Sequence, residues 1–337
     1  MSVLNRLPLV TIYLSERCNS RCVTCDYWRH GRQDMSFESV KRLVPAMREL
    51  RTEVVLVSGG EPLLNPQWFE IAQLLKGSGL KLWLLTSGLS LAKHSRRVVS
   101  VFDSVTVSLD GTCPSTYAAI RGVDAFDNVC AGIRAMSEAG TPVSLRVTLQ
   151  RDNYRELLQF VQIAHELAVS QVSFLPVDVA NPHAFARVDG AVADVALHPE
   201  DLPVFERLLC SLEREHAEDF ESGLIAESPQ KLRRIHQYFG AVNRLNAYPP
   251  VRCNAPEFSA VIDSHARLHP CFFIPGTADA QVRDDLGRAL NGEGMQGLRE
   301  TIRAGQRREC STCVCSLWRD PEKTGALLLP APRGVAA

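Results

Sequence analysis

Cys18-Asn-Ser-Arg-Cys22-Val-Thr-Cys25 gathers three thiols just after an apolar run, Leu7 to Leu14. A cubane [4Fe–4S] cluster takes four cysteine thiolates, so three of them leave one iron open to a small ligand. Zinc also takes cysteine pairs. Its sites, however, build on pairs two to four residues apart, with a second pair about a dozen residues on. The next cysteine here is Cys113, far away. A second set lies near the other end. Cys253 and Cys271 are followed by Cys310 and Cys313 in a CxxC, with Cys315 close by.

Other chemistry-bearing residues punctuate the chain between the two sets. Ser58-Gly59-Gly60-Glu61-Pro62 pairs two glycines, which let backbone approach a ligand closely, with a carboxylate that can take hydrogen bonds from an ammonium. Thr86-Ser87-Gly88 and Ser108-Leu109-Asp110-Gly111 place small polar residues after apolar runs. Arg121 carries a guanidinium, whose fork binds a carboxylate bidentately. Arg146 falls inside an apolar run, where a charge requires a partner.

Together these segments resemble the radical S-adenosylmethionine (SAM) superfamily. The resemblance implies that Cys18, Cys22 and Cys25 hold a [4Fe–4S] cluster whose open iron chelates SAM. Gly59, Gly60, Glu61 and Pro62 match the GGEP motif that binds the SAM amino group. Ser87 follows the third strand, and Ser108 and Asp110 match the SLDG segment along the ribose and carboxylate. Arg121 matches an arginine on the SAM carboxylate, Arg146 is a further SAM or substrate contact, and Pro176 falls where backbone meets adenine. Many members carry an aromatic residue before the third cysteine. Thr24 stands there, with Tyr27 and Trp28 following to cover the cluster.

The second cysteine set resembles the Twitch domain, a shortened SPASM domain. That resemblance implies an auxiliary [4Fe–4S] cluster on Cys253, Cys271, Cys310 and Cys313, with Cys315 the alternative ligand. A zinc site built from four cysteines has the same ligand set. Ala260–Asp263 and Arg267–Cys271 read as a small hairpin. Ala266 stands where the family usually has a glycine, which predicts an altered turn.

These residues need a scaffold. Short runs rich in β-branched residues, among them Val10–Ser15, Val54–Val57, Ser104–Leu109 and Gln171–Leu175, alternate with helical patterns at Val40–Met47, Trp68–Leu75, Leu91–Phe102, Phe126–Glu138 and Tyr154–Ala168. Six such units predict an α/β fold with a parallel sheet, and the resemblance implies a partial (β/α)6 TIM-like barrel. Chemistry on such barrels sits at the C-terminal strand ends, where Cys18, Gly59, Ser87, Asp110 and Pro176 all fall. The domains expected are a core at 8–217, a connection at 218–250, a small cysteine-rich domain at 251–318 and a flexible tail at 319–337. Cys130 and Cys210, in helical patterns, read as core residues.

Composition narrows the function. The chain of 337 residues has a net charge of −1, which favours no nucleic-acid partner. No apolar run reaches the roughly 18 residues of a membrane span. Arg6 and the apolar run after it lack a signal-peptide cleavage site. Eleven cysteines without a secretion signal point to a reducing, cytoplasmic setting and to metal binding.

The resemblance then implies an enzyme that cleaves SAM reductively and abstracts hydrogen from an unactivated C–H bond. Its substrate is expected to be a sugar or cyclitol alcohol, with the auxiliary cluster accepting an electron. The spacing resembles that of radical SAM dehydrogenases acting on aminocyclitols. An external reductant such as flavodoxin or ferredoxin is implied. The alternative substrate is a ribosomally made peptide, to be crosslinked or epimerised. A first strand near residue 10 leaves no room for the usual peptide-recognition domain. A non-catalytic electron carrier is the alternative from another class. No general base is singled out among His183, His198, His236, His265 and His269. Cys113 and Cys315 are the candidate hydrogen-atom donors.

Overall fold

Six parallel strands form in chain order: β1 (Leu9–Ser15), β2 (Val54–Gly59), β3 (Lys81–Thr86), β4 (Ser104–Ser108), β5 (Val143–Leu149) and β6 (Gln171–Pro176). The computed structural model describes residues 3–182, 184–187, 194–282 and 285–320. His183 and the tail from residue 321 lie outside the described residues. Each strand pairs in parallel with the next, and helices such as Phe37–Glu49, Trp68–Gly77, Leu91–Val101 and Phe126–Glu138 make the crossovers. This is the mixed α/β fold with a parallel sheet that the sequence predicts.

Local chemistry starts and orients the helices. The Ser36 hydroxyl accepts from the Ser39 N–H at 3.2 Å and begins Phe37–Glu49, whose face of Val40, Leu43, Val44 and Met47 is buried. Each such side chain contributes about 1.5–3 kcal/mol by burial. Where the sequence predicts one helix over Tyr154–Ala168, a 3-10 turn (Tyr154–Glu156) leads into the helix Leu157–Glu166. The Tyr154 hydroxyl donates to Asp201 at 2.7 Å, which holds that turn. Cys130 is buried as expected, but Cys210 is exposed. Leu202, Phe205, Leu209 and Leu212 form the buried face of Leu202–Glu215, and Cys210 is turned off it by one residue.

The C-terminal cysteine region does not stand apart. β7 (Ser259–Ile262) pairs in parallel with β1, Leu9 opposite Ser259 and Ile12 opposite Ile262. β8 (Leu268–His269) completes an antiparallel hairpin with β7. Among the described residues the sheet therefore has eight strands, in the order β6-β5-β4-β3-β2-β1-β7-β8. Among the described residues, no helix is long and apolar enough to cross a membrane.

Candidate active site

The exit of β1 is locked to the turn after β2 through backbone. The Gly60 N–H donates to the Ser15 carbonyl at 2.7 Å, and the Glu61 N–H to the Arg17 carbonyl at 2.8 Å. A Cβ on Gly59 would lie 2.3 Å from the Ser15 oxygen, and one on Gly60 2.4 Å from the Glu16 oxygen. Gly59 also has a φ of 135°. Contact with the root of the cysteine loop thus already requires both glycines, although both also line the cavity described below.

Glu61 departs from the sequence expectation. Its carboxylate is fully buried and accepts from the Thr86 hydroxyl (2.9 Å), the Ser87 N–H (2.8 Å), the Ser87 hydroxyl (2.6 Å) and the Leu63 N–H (3.1 Å). Those donors satisfy it within the protein, so it braces the end of β3 rather than facing a ligand's ammonium. Pro62 is buried in the 3-10 turn Pro62–Leu64. Ser87 carries the brace outward to the cavity wall.

The cysteine loop itself is framed on several sides. Arg21 and Val23 N–H groups donate to the carbonyls of Arg121 (2.9 Å) and Ile120 (3.1 Å). The Trp28 indole donates to the Cys22 carbonyl at 3.4 Å. Cys18, Cys22 and Cys25 stand in electrostatic contact. Burial pushes the Cys18 thiol up to about 11 and the Cys25 thiol up to about 12, and it raises Cys22 as well. Bare thiolates are therefore disfavoured here, and a bound cation would reverse that balance.

Arg121 ends the helix Pro114–Arg121, and its guanidinium pairs with Asp110 at 3.1 Å. Burial opposes its charge, but Cys22, Asp110, Tyr117 and Cys18 outweigh that and keep it protonated. The other Asp110 oxygen accepts the Thr148 N–H at 2.8 Å. Arg146, on β5 opposite Ser108, faces the same cavity. Its guanidinium has no partner among the described residues.

These groups converge on a cavity of about 440 Å³ at the C-terminal strand ends. Cys18, Cys22, Cys25, Gly59, Gly60, Ser87, Ser108, Asp110, Arg121, Arg146 and Pro176 line it, while Glu61 and Pro62 stand behind. Cys271 and Cys315 line the same cavity. Cys271 interacts electrostatically with Cys310 and Cys253, and Cys313 with Cys315, Cys271 and Cys253, so these cysteines share one neighbourhood. Burial pushes the Cys271 thiol up to about 12. Among the described residues, no three His, Cys, Asp or Glu side chains crowd together as one metal ion demands.

Of the candidate bases among the described residues, only His269 lines the cavity. Its Nδ1 accepts the Gly276 N–H at 2.9 Å, and its Nε2 lies 3.1 Å from Asp263, so both nitrogens are engaged. His198 meets Asp194 and Arg151, His236 stacks on Phe205, and His265 pairs with Glu16. Cys113 sits at the start of Pro114–Arg121, bonded to Ser115 and Thr116, outside the cavity.

Tyr27, expected beside the cluster, lines the cavity, and the sequence reading missed Tyr13, Asp178, Arg187 and Asp263, which line it too. Strand parity could have found Tyr13, since Tyr13 and Ser58 are register partners on β1 and β2. Arg187 lies in a loop that gives no periodic signal.

A profile of the Radical SAM superfamily matches residues 12–164, which form a domain of that superfamily. The chain is 28% identical over 174 residues to the AdoMet-dependent heme synthase of Methanosarcina barkeri, covering 50% of each chain. It is 28% identical over 169 residues to a probable GTP 3′,8-cyclase of Saccharolobus solfataricus, covering 49% of this chain and 55% of that one. The chain thus spans about half the length of the curated relatives it matches.

Its fold is similar to that of SuiB from Streptococcus suis. The structure bound to S-adenosylmethionine gives a TM-score of 0.66 at 16% identity, covering 94% of this chain and 74% of that one. The structure bound to precursor peptide SuiA gives 0.64 at 15%, covering 88% and 67%.

Proposed function

We propose that this chain is a radical SAM enzyme with two iron–sulfur clusters, oxidising a hydroxyl-bearing ring of the sugar or cyclitol type. The observation that carries the reading is one cavity lined both by Cys18, Cys22 and Cys25 and by Cys271 and Cys315 of the second set. Cys18, Cys22 and Cys25 would hold the SAM-binding cluster. Cys253, Cys271, Cys310 and Cys313 would hold the auxiliary cluster of a Twitch/SPASM-like domain. When bound, the first cluster would supply the electron that cleaves SAM to a hydrogen-abstracting 5′-deoxyadenosyl radical, and the second would accept the electron an alcohol oxidation releases.

The spacing of the first set, three cysteines with no second pair close by, supports a cubane over zinc there. Arg146 is the guanidinium best placed for the SAM carboxylate, because Arg121 is already committed to Asp110. Ser87, Ser108 and Asp110 would meet the polar groups of SAM, and Pro176 its adenine.

The substrate half of the cavity offers the hydroxyls of Tyr13 and Tyr27, which have no hydrogen-bond partner among the described residues, beside the Asp263 carboxylate. Hydroxyl recognition suits such groups. Phe272 and Phe273 supply an apolar wall that excludes water. A peptide substrate is the second reading. It is supported by Phe185 and Phe272, which are 40% and 41% exposed at the cavity, and by the precursor peptide held by SuiB.

The test is deuterium transfer. Reconstituted protein, SAM and dithionite are incubated with ring-deuterated aminocyclitols and hexoses, and 5′-deoxyadenosine is analysed by mass. Deuterium in 5′-deoxyadenosine is expected with a ring substrate. Transfer only from a deuterated peptide would replace this substrate class with the peptide one.

A further inference from the structure

The segment after β6 grips Cys25 from both flanks. The Asp26 N–H donates to the Phe185 carbonyl at 2.9 Å, and Arg187 Nη2 donates to the Thr24 carbonyl at 3.4 Å. To reach that position the chain places Phe185 and Ala186 in the left-handed region, at φ 58° and 57°, which is costly for residues carrying a Cβ. The Arg187 side chain is only 3% exposed, yet it forms part of the cavity wall.

Its guanidinium also donates to the carbonyls of Asp178 (2.5 Å) and Asn181 (3.0 Å) and faces the Asp178 carboxylate at 3.8 Å. That carboxylate is fixed by the N–H groups of Ala180 and Asn181, both at 2.9 Å. Asn181 Nδ2 in turn donates to the Phe273 carbonyl at 2.9 Å, and the Phe185 ring meets Phe273 edge-on at 6.1 Å. One line of contacts therefore runs from Thr24, beside Cys25, through Arg187 and Asn181 to Phe273, two residues past Cys271.

We propose that Arg187 is a positioning residue that sets Cys25 against the substrate half of the cavity and ties the two cysteine sets together. The inference rests on reading Cys25 as a cluster ligand. Only a guanidinium carries five donors in a fixed fork, enough to span three carbonyls and a carboxylate; an ammonium has three donors on one point. Partners behind a metal ligand fix its orientation, and losing one typically costs 10- to 100-fold.

The test uses the full chain, reconstituted anaerobically, as wild type, Arg187→Lys and the double variant Asp178→Asn/Arg187→Gln. The double variant removes both buried charges together, so neither is left unpaired. EPR spectra of the reduced protein with and without SAM are compared, along with kcat and KM for SAM cleavage. The expected result is wild-type iron content, an altered signal from the SAM-responsive cluster, and kcat lower by roughly 10- to 100-fold with KM little changed. Arg187→Lys should recover part of the loss.

Wild-type spectra and rates in both variants would overturn the proposal. So would loss of both iron sets together with the cooperative melt, which would make Arg187 a residue of the fold alone. Wild-type protein with a cluster signal but no SAM cleavage would overturn the enzymatic reading by itself, and the spectra would still decide the role of Arg187. Wild-type protein without any cluster signal would overturn both.

Discussion

Arg121 and Arg146 face one cavity with opposite commitments, and substitution should separate them. Arg146 has no protein partner among the described residues. Arg146→Gln should therefore leave the melting temperature unchanged while weakening SAM binding by about 1.5–3 kcal/mol, the worth of hydrogen bonds to a charged group. Calorimetric titration with SAM measures it, and unchanged affinity would remove Arg146 from the site. Arg121→Gln should instead strand the buried Asp110 and cost about 3–5 kcal/mol of stability in a denaturant titration. Arg146 was legible in the sequence because a charge inside an apolar run demands a reason. The buried role of Glu61 was not, because the motif names the residue type and not the neighbours that satisfy it. Arg187 was not legible either, since its acceptors lie in two loops far apart in sequence, at Thr24 and at Asp178–Asn181.

The β7–β8 hairpin shows how an element can keep its shape with an unexpected residue. Ala266 takes φ 57°, the conformation a glycine would supply, so the turn is not remade. Asp263 holds it, with Oδ1 accepting the N–H groups of His265 (2.9 Å) and Arg267 (2.8 Å). Ala266→Gly should relieve the left-handed strain and stabilise the fold by up to about 1 kcal/mol, read from the melting temperature. Burial opposes the Asp263 charge, but His269 and the backbone N–H groups outweigh it and hold the carboxyl below the usual carboxylate range. Its stabilisation is thus present above the unfolded value near 3.9 and is lost as pH falls through the lower folded value. Melts of wild type and Asp263→Asn should differ at pH 7, keep that gap down to about pH 4 and converge only as pH falls further; a constant gap would contradict this. The strands were legible because their β-branched runs are continuous. The helix Glu293–Arg303 was passed over, although Met295, Leu298 and Ile302 recur at i, i+3 and i+7, because the stripe is short and only Met295 and Arg299 are buried on it.

At the scale of the molecule, the sequence divides the chain into a barrel and a separate cysteine-rich domain, whereas the fold joins them. β7 covers the outer edge of β1, and Asn291 exchanges hydrogen bonds with the Leu4 backbone at 2.8 and 3.0 Å. Strand pairing across some 250 residues of chain leaves no local trace in composition or period. A fragment ending at residue 250 should therefore expose the β1 edge and aggregate, measured by light scattering against the full chain; a monodisperse fragment would show that the barrel closes without β7.

The account's central claim is that the two cysteine sets hold two clusters and that the first one cleaves SAM. Its most direct test is iron and sulfide per chain, with 5′-deoxyadenosine formation under dithionite, for wild type and a Cys18/Cys22/Cys25→Ala variant. The account predicts about eight irons in wild type and about four in the variant, with 5′-deoxyadenosine from wild type only. A full iron load with no SAM cleavage would contradict it and leave an electron carrier.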